Sequence, residues 1–150
     1  MQITMLYARL WAPLALSLAI AGAFGSVPSR SSAAVLGPEL PQVRYTDHAQ
    51  YRVQVRSDVL PVPMRQLPTW RIHISDASGM PVRQAVVQVS GGMPEHHHGL
   101  PTQPRVTELP AAGDYLVNGV RFSMTGRWVL ILAIRESDGH SDTVTFSFVL

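Results

Sequence analysis

The residues with the most evident chemistry form one short segment, from Gly91 to Pro101. It contains three consecutive histidines, His96, His97 and His98, with the methionine Met93 three residues upstream. Glycines and prolines enclose these side chains, so we expect the backbone to leave a strand and turn here. Imidazole and thioether groups bind soft metal ions, and this grouping in a turn predicts a metal site.

The candidate ligands differ in how the chain would present them. In an extended backbone alternate side chains point the same way, so His96 and His98 can reach one ion while His97 points elsewhere. Met93 can fold back on the turn. Met124 is placed on an apparent loop that the fold could bring to the same end. Two imidazoles with one or two thioethers favour Cu(I), and zinc is the competitor that gains little from a thioether.

Two neighbouring residues are weaker candidates. Glu95 can serve zinc or Cu(II), or it can hydrogen-bond a ligating imidazole, and His97 is the second such candidate. A simpler interpretation also stands, in which three adjacent histidines form a solvated turn. A single methionine such as Met124 more often fills a core than binds a metal.

The composition excludes several classes of protein. The 150 residues contain no cysteine, which excludes disulfides, thiolate metal sites and cysteine nucleophiles. All twelve basic residues are arginines that never form a run, and the net charge is +2, so no nucleic-acid partner is expected. The sequence lacks a nucleophile elbow, paired carboxylates and a glycine-rich phosphate loop. We therefore predict that the protein is not an enzyme.

The first 41 residues predict an exported protein. Residues 1–23 have one arginine, an apolar run and an Ala21-Gly22-Ala23 ending, which is typical of a signal peptide. The apolar run has about 15 residues, shorter than a comfortable membrane span, and an uncleaved anchor helix is the alternative. Residues 24–41 are rich in Ser, Pro, Ala and Gly and predict a flexible tether. The expected location is the periplasm or the outer face of the inner membrane, with membrane contact only through an uncleaved N-terminal segment.

Residues 42–150 predict a single all-β domain. Tyr51, Val53 and Val55 alternate with polar residues, and the same period of two recurs along the chain. Predicted strands cover residues 51–56, 70–75, 82–90, 105–109, 114–122, 126–135 and 143–150. The strand at 126–135 is apolar on both faces, which predicts burial on both sides. This rhythm predicts an immunoglobulin-like antiparallel β-sandwich of about seven strands, with Trp70 and Trp128 as core anchors.

Two segments of the chain resemble a known family. The Met-Pro-x-His-x-His-Gly element at residues 93–99 and the Phe-x-Met-x-Gly-x-Trp element at 122–128 are similar to motifs of the YtkA-like family, which is related to FixH-like exported domains. The resemblance is best over residues 80–150 and rests on strand pattern alone over 40–79. Family members commonly have His-Met-Pro-Gly where this chain has Ser123-Met124-Thr125-Gly126, and a small or polar residue at the position of His97.

What the resemblance implies is a small exported β-sandwich, often associated with copper handling or respiratory-oxidase assembly. The first functional hypothesis is therefore a copper-binding domain that delivers Cu(I) to a periplasmic or membrane copper protein or an oxidase subunit. The second is a non-catalytic structural or interaction module of a cell-envelope complex, in which the histidine loop only shapes a docking surface. The two hypotheses differ in whether partner binding survives removal of metal.

Overall fold

The computed structural model describes residues 40–150, so the predicted signal peptide and nearly all of the predicted tether lie outside the described residues. The described part contains nine strands: β1 (Gln42–Tyr45), β2 (Tyr51–Ser57), β3 (Trp70–Asp76), β4 (Val86–Met93), β5 (His98–Gly99), β6 (Arg105–Glu108), β7 (Asp114–Asn118), β8 (Arg127–Arg135) and β9 (Ser141–Val149). Sheet A has the order β1-β2-β3-β7-β6, and sheet B has the order β5-β4-β8-β9. Every pair of neighbouring strands is antiparallel.

The prediction of an all-β protein with two antiparallel sheets is confirmed. The seven predicted strands are all present, and the additional strands are β1 and β5, with four and two residues. The strand predicted at 82–90 begins at Val86 and continues to Met93, because Gly91 and Gly92 still pair with β8. The strand predicted at 114–122 ends at Asn118, since Gly119 has a φ of +92° and turns the chain.

The prediction that β8 is buried on both sides is wrong. This strand does lie inside sheet B, between β4 and β9. The side chains on its inner face are buried, whereas on the outer face Val129 and Ile131 are only half-buried and Ala133 is exposed. A two-layer sandwich covers one face of each sheet, so apolar residues on the other face stay in contact with water.

Aromatic side chains join the two sheets, and the prediction that Trp70 and Trp128 anchor the core is confirmed. Both are almost fully buried. The ring of Phe122 lies between them, 6.0 Å from Trp70 and 5.2 Å from Trp128, in edge-to-face geometry. Such pairs add about 0.5–1.5 kcal/mol to the free energy of burial. This packing fixes the start of β8, and with it the end of the sandwich that carries the histidines.

No helix among residues 40–150 has the length and apolar character that crossing a membrane requires.

A buried carboxylate ties the opposite end of the sandwich together. Asp142, at the start of β9, is 6% exposed and accepts hydrogen bonds from the backbone N–H groups of His48 and Thr143. Its Oδ1 also lies 3.0 Å from Nδ1 of His48. Burial acts to raise the pKa of Asp142, but these hydrogen bonds and one from Thr46 outweigh it and hold that pKa well below its usual value. The hydrogen bond and the negative charge of Asp142 raise the pKa of His48.

Replacing this carboxylate should weaken the fold and remove part of its pH dependence. We expect Asp142→Asn to lower the free energy of unfolding at neutral pH by about 2–3 kcal/mol, because an amide nitrogen would face N–H groups that now donate to a carboxylate. The contribution of Asp142 is complete above its unfolded pKa of about 3.9 and is lost as the pH falls through the lower folded value. The contribution of His48 is complete below about pH 6.5 and is lost as the pH rises through the higher folded value.

Urea unfolding at a series of pH values gives the free energy of unfolding as a function of pH. The contributions of Asp142 and His48 to that dependence should both be absent from Asp142→Asn. The exposed Asp138, which lies at the same end of the sandwich, provides the control variant Asp138→Asn. Equal stability of Asp142→Asn and the parent at neutral pH would contradict the prediction.

Candidate metal centre

The histidine segment forms a hairpin between β4 and β5. Gly92 pairs with Gly99, and Met93 pairs with His98. Between these strands residues Pro94–His96 form one turn of 3-10 helix, and His97 has left-handed backbone angles of φ 54° and ψ 34°. A proline is well suited to the first position of such a turn, because its φ is already fixed and its missing N–H needs no partner there.

Residues 96–98 are therefore not extended, so the alternation that would bring His96 and His98 to one side in a strand does not apply here. A hairpin this short reverses the chain within four residues, which requires a helical turn and a left-handed residue. The rings of His96 and His98 nevertheless lie side by side, with centroids 6.1 Å apart and planes inclined by 37°. Two imidazoles that each bind an ion at about 2.0 Å have centroids roughly 5–6 Å apart. His96 and His97 are both exposed.

His98 has the surroundings of a prepared ligand. Its Nδ1 lies 3.0 Å from the carbonyl oxygen of Gly99. Because a carbonyl only accepts, Nδ1–H is the donor, and in the neutral ring this tautomer leaves a lone pair on Nε2. Nε2 is buried and has no hydrogen-bond partner among the described residues. Burying a nitrogen that could accept a hydrogen bond, without giving it a partner, costs free energy. A metal-binding histidine usually donates its other ring N–H to a carbonyl or carboxylate, as His98 does here.

Met93 is part of the hydrophobic core. Only 1% of its surface is exposed, and its methyl group lies directly beside Gly126. Residues that pair directly across two strands point to the same side, so Met93 and His98 share one face of the hairpin. The thioether of Met93 thus belongs to the face on which the free nitrogen of His98 is buried.

Met124 lies at the same end of the sandwich, in the loop between β7 and β8. Its carbonyl accepts a hydrogen bond of 3.0 Å from Nε1 of Trp128. The ring of Trp128 in turn packs edge-on against His98, with centroids 5.5 Å apart. The side chain of Met124 is 42% exposed. Trp128 therefore connects the loop of Met124 to the histidine hairpin.

Glu95 is engaged by a basic residue. Its Oε1 lies 3.4 Å from Nε of Arg127, and both side chains are largely exposed. An exposed ion pair of this kind contributes about 0.2–1 kcal/mol, so the carboxylate is easily released. The pair adds a further contact between the hairpin and the start of β8.

The other histidines interact with carboxylates. Within residues 40–150 there is no group of three or more His, Asp or Glu side chains that could hold a metal ion. Each of the three remaining histidines has an acidic partner. The ring-to-carboxylate pairs are His48 with Asp142 at 3.0 Å, His73 with Asp114 at 2.6 Å and His140 with Asp138 at 4.0 Å.

Sequence reasoning missed several residues that shape the hairpin. A Cβ at Gly91 would collide with the carbonyl of Val129, and a Cβ at Gly92 would collide with the carbonyl of His98. The sequence predicts that the chain leaves the strand at the Gly-Gly pair. In the structure this pair instead permits β4 to stay closely paired with β8 on one side and β5 on the other. Trp128 was predicted only as a core anchor, because its contact with His98 depends on the pairing of strands distant in sequence.

The fold and the hairpin together define a class, a small all-β sandwich with a histidine turn at one end. Residues 46–133 match the YtkA-like family, and the chain belongs to that family. The match reaches further towards the N-terminus than the motifs alone indicated. Among solved structures the chain is similar to a DUF4426 family protein from Pseudomonas aeruginosa PAO1, with a TM-score of 0.53 and 16% identity over 73% of this chain and 96% of that chain. At this identity the likeness shows the fold alone. No curated protein matches the chain.

The close approach at Gly92 gives a test of the hairpin. We expect Gly92→Ala to lower the free energy of unfolding by about 1–3 kcal/mol, because the added methyl group would force β5 away from β4. Gly99 pairs with Gly92, but a Cβ there would meet only the carbonyl of Gly91 at 3.4 Å. Gly99→Ala is therefore the matched control and should change stability by no more than about 0.5 kcal/mol.

Urea unfolding gives both values, and amide hydrogen exchange at His98 reports whether β5 stays paired. Similar stability losses in the two variants would show that the backbone approach at Gly92 is not what fixes the hairpin.

Proposed function

We propose that this protein is an exported copper-binding domain that holds Cu(I) at the histidine hairpin and passes it to a partner protein. The observation that carries the proposal is the buried Nε2 of His98, which has no hydrogen-bond partner within residues 40–150. His96 lies beside it at a ring separation of 6.1 Å. These two imidazoles are the proposed principal ligands.

Thioether sulfur completes the proposed ligand set. Met93 shares the face of His98, and Met124 belongs to the loop that contacts the hairpin through Trp128. Imidazole with thioether and no thiolate suits Cu(I), whereas zinc gains little from methionine. His97 and Glu95 are proposed as accessory residues only, since His97 lies on the left-handed turn and Glu95 pairs with Arg127.

The unequal exposure of the ligands supports transfer by ligand exchange. His98 and Met93 are recessed, whereas His96 and Met124 are exposed. A partner can therefore replace an exposed ligand first, so that one bond to copper forms as another breaks and the ion remains Cu(I) throughout. The proposed partner is a periplasmic or membrane copper protein or an oxidase subunit.

The proposal also includes the setting of the domain. We propose that residues 1–23 are a signal peptide or an uncleaved anchor helix, and that the sandwich is immunoglobulin-like and faces the periplasm. Its role would lie in respiratory-oxidase assembly or copper homeostasis, without catalysis. The family membership supports the sandwich, and the apolar N-terminal segment supports export.

A second candidate is a structural or interaction module of the cell envelope. The observation that favours it is the burial of Met93, because a methionine that is 1% exposed already has a structural role in the core. The Glu95–Arg127 pair likewise shapes the hairpin without any ion. This candidate predicts a partner that still binds after chelation of metal.

Titration with Cu(I) against a chromophoric chelator tests the proposal. The parent should bind one ion, and the double variant His96→Ala with His98→Ala should lose affinity by at least about 100-fold, since even indirect partners of a ligand are worth 10–100-fold. Met93→Leu keeps the volume of the side chain and removes the sulfur, so it should weaken binding while the fold persists. His140→Asn, which removes an exposed imidazole at the opposite end of the sandwich, is the control and should bind as the parent does.

Thermal unfolding of each variant separates lost ligands from lost structure. If the double variant is folded and binds Cu(I) as tightly as the parent, the copper proposal is wrong. Retained partner binding in that same variant after chelation would then support the interaction module.

A further inference from the structure

The charged residues of the sandwich are divided unequally between its two ends. We define the histidine end as the loops at residues 58–69, 94–97, 100–104 and 119–126 together with the strand residues that flank them. Among residues 40–150, six arginines and two acidic residues, Asp58 and Glu95, lie there. The arginines are Arg56, Arg65, Arg71, Arg105, Arg121 and Arg127.

The opposite end has the reverse balance. Only four of the ten arginines among the described residues lie at or near that end, together with seven acidic residues. Those acidic residues are Asp47, Asp76, Glu108, Asp114, Glu136, Asp138 and Asp142. A nearly neutral chain thus has a basic end and an acidic end, and an anionic surface would orient it with the histidine end foremost.

The histidine end also exposes large apolar side chains. Leu60 and Leu67 are 58% and 60% exposed, and Val59 and Met124 are also exposed. Their loops are held in place, because the N–H of Arg65 donates to the carbonyl of Phe122 at 2.8 Å. Apolar side chains presented on fixed loops beside cations are typical of surfaces that enter the boundary layer of a membrane.

Several of these cations have no acidic partner. Arg71 pairs with Asp58 at 3.2 Å, and Arg127 pairs with Glu95. Within the described residues, Arg56, Arg65 and Arg105 form no ion pair. Arg56 moreover lies directly opposite Arg71 in the register of β2 and β3. Like charges in this position repel each other, and an external anion would reduce that repulsion.

We infer that the histidine end of the sandwich binds an anionic phospholipid surface. Leu60 and Leu67 enter the region between headgroups and acyl chains, and the arginines contact the phosphates with their stems along the apolar boundary. The contacts are spread over several loops and do not form a pocket. A bilayer can bind such a surface because its headgroups need no complementary shape. This inference does not depend on copper, and it adds a membrane contact beyond any made by the N-terminal segment.

Sedimentation of the full chain with lipid vesicles tests the inference. Binding should be stronger to vesicles that contain phosphatidylglycerol than to vesicles of phosphatidylcholine alone, and it should weaken with salt. Arg56→Gln with Arg65→Gln should reduce the affinity roughly ten- to thirtyfold. The matched control is Arg83→Gln with Arg135→Gln, which removes the same charge from the other end and should have little effect.

A second pair of variants tests the apolar contacts. Leu60→Ser with Leu67→Ser should reduce binding to the same vesicles, whereas Val86→Ser, at an exposed position on sheet B, should not. The N-terminal segment is identical in all variants, so differences between them report on the sandwich. Cu(I) titration of the same variants should be unchanged, which keeps this test separate from the copper proposal.

Two results would overturn the inference. If all variants bind all vesicles equally, the N-terminal segment alone is responsible for membrane affinity. If the chain does not bind vesicles but binds poly-L-glutamate through Arg56 and Arg65, the histidine end recognises an acidic protein instead.

Discussion

The structure of the candidate site depends on a close backbone approach at two glycines. Gly91 and Gly92 occupy the only part of β4 where the carbonyls of Val129 on one side and His98 on the other come too near for a side chain. Because of this approach β4 continues to Met93 and pairs with both β8 and β5. The hairpin is therefore a rigid extension of sheet B and not a free loop, and the positions of the histidines follow from the sheet.

The same arrangement makes the core and the candidate site share residues. Trp128 packs against Phe122 in the interior and against His98 at the surface of the core, while Met93 fills space beneath Gly126. A change at either residue would act on stability and on the site together. Variants that keep the volume of the side chain are thus the informative ones, since they alter the chemistry while the packing persists.

Much of the fold followed from the sequence because the alternation of apolar residues is local information. Tyr51, Val53 and Val55 are buried as the period of two required, and all seven predicted strands exist. Burial of the outer face of β8 was not predicted correctly, since an apolar pattern does not reveal how many layers the fold has. The conformation of residues 96–98 could not be predicted, because it is set by the closure of a hairpin onto β5, whose two residues have no strand signal of their own. The proximity of His98 to Trp128 depends on strand pairing, which a single sequence does not display.

The unequal burial of the two methionines has a consequence for oxidative chemistry. Met124 is 42% exposed and Met93 is 1% exposed, so peroxide or hypochlorous acid in the surroundings reaches the first sulfur and not the second. Conversion of Met124 to the sulfoxide would make one of the proposed thioether ligands polar, while the interior thioether of Met93 survives. The outer half of the proposed site is therefore open to oxidative damage and enzymatic repair, whereas burial protects the inner half.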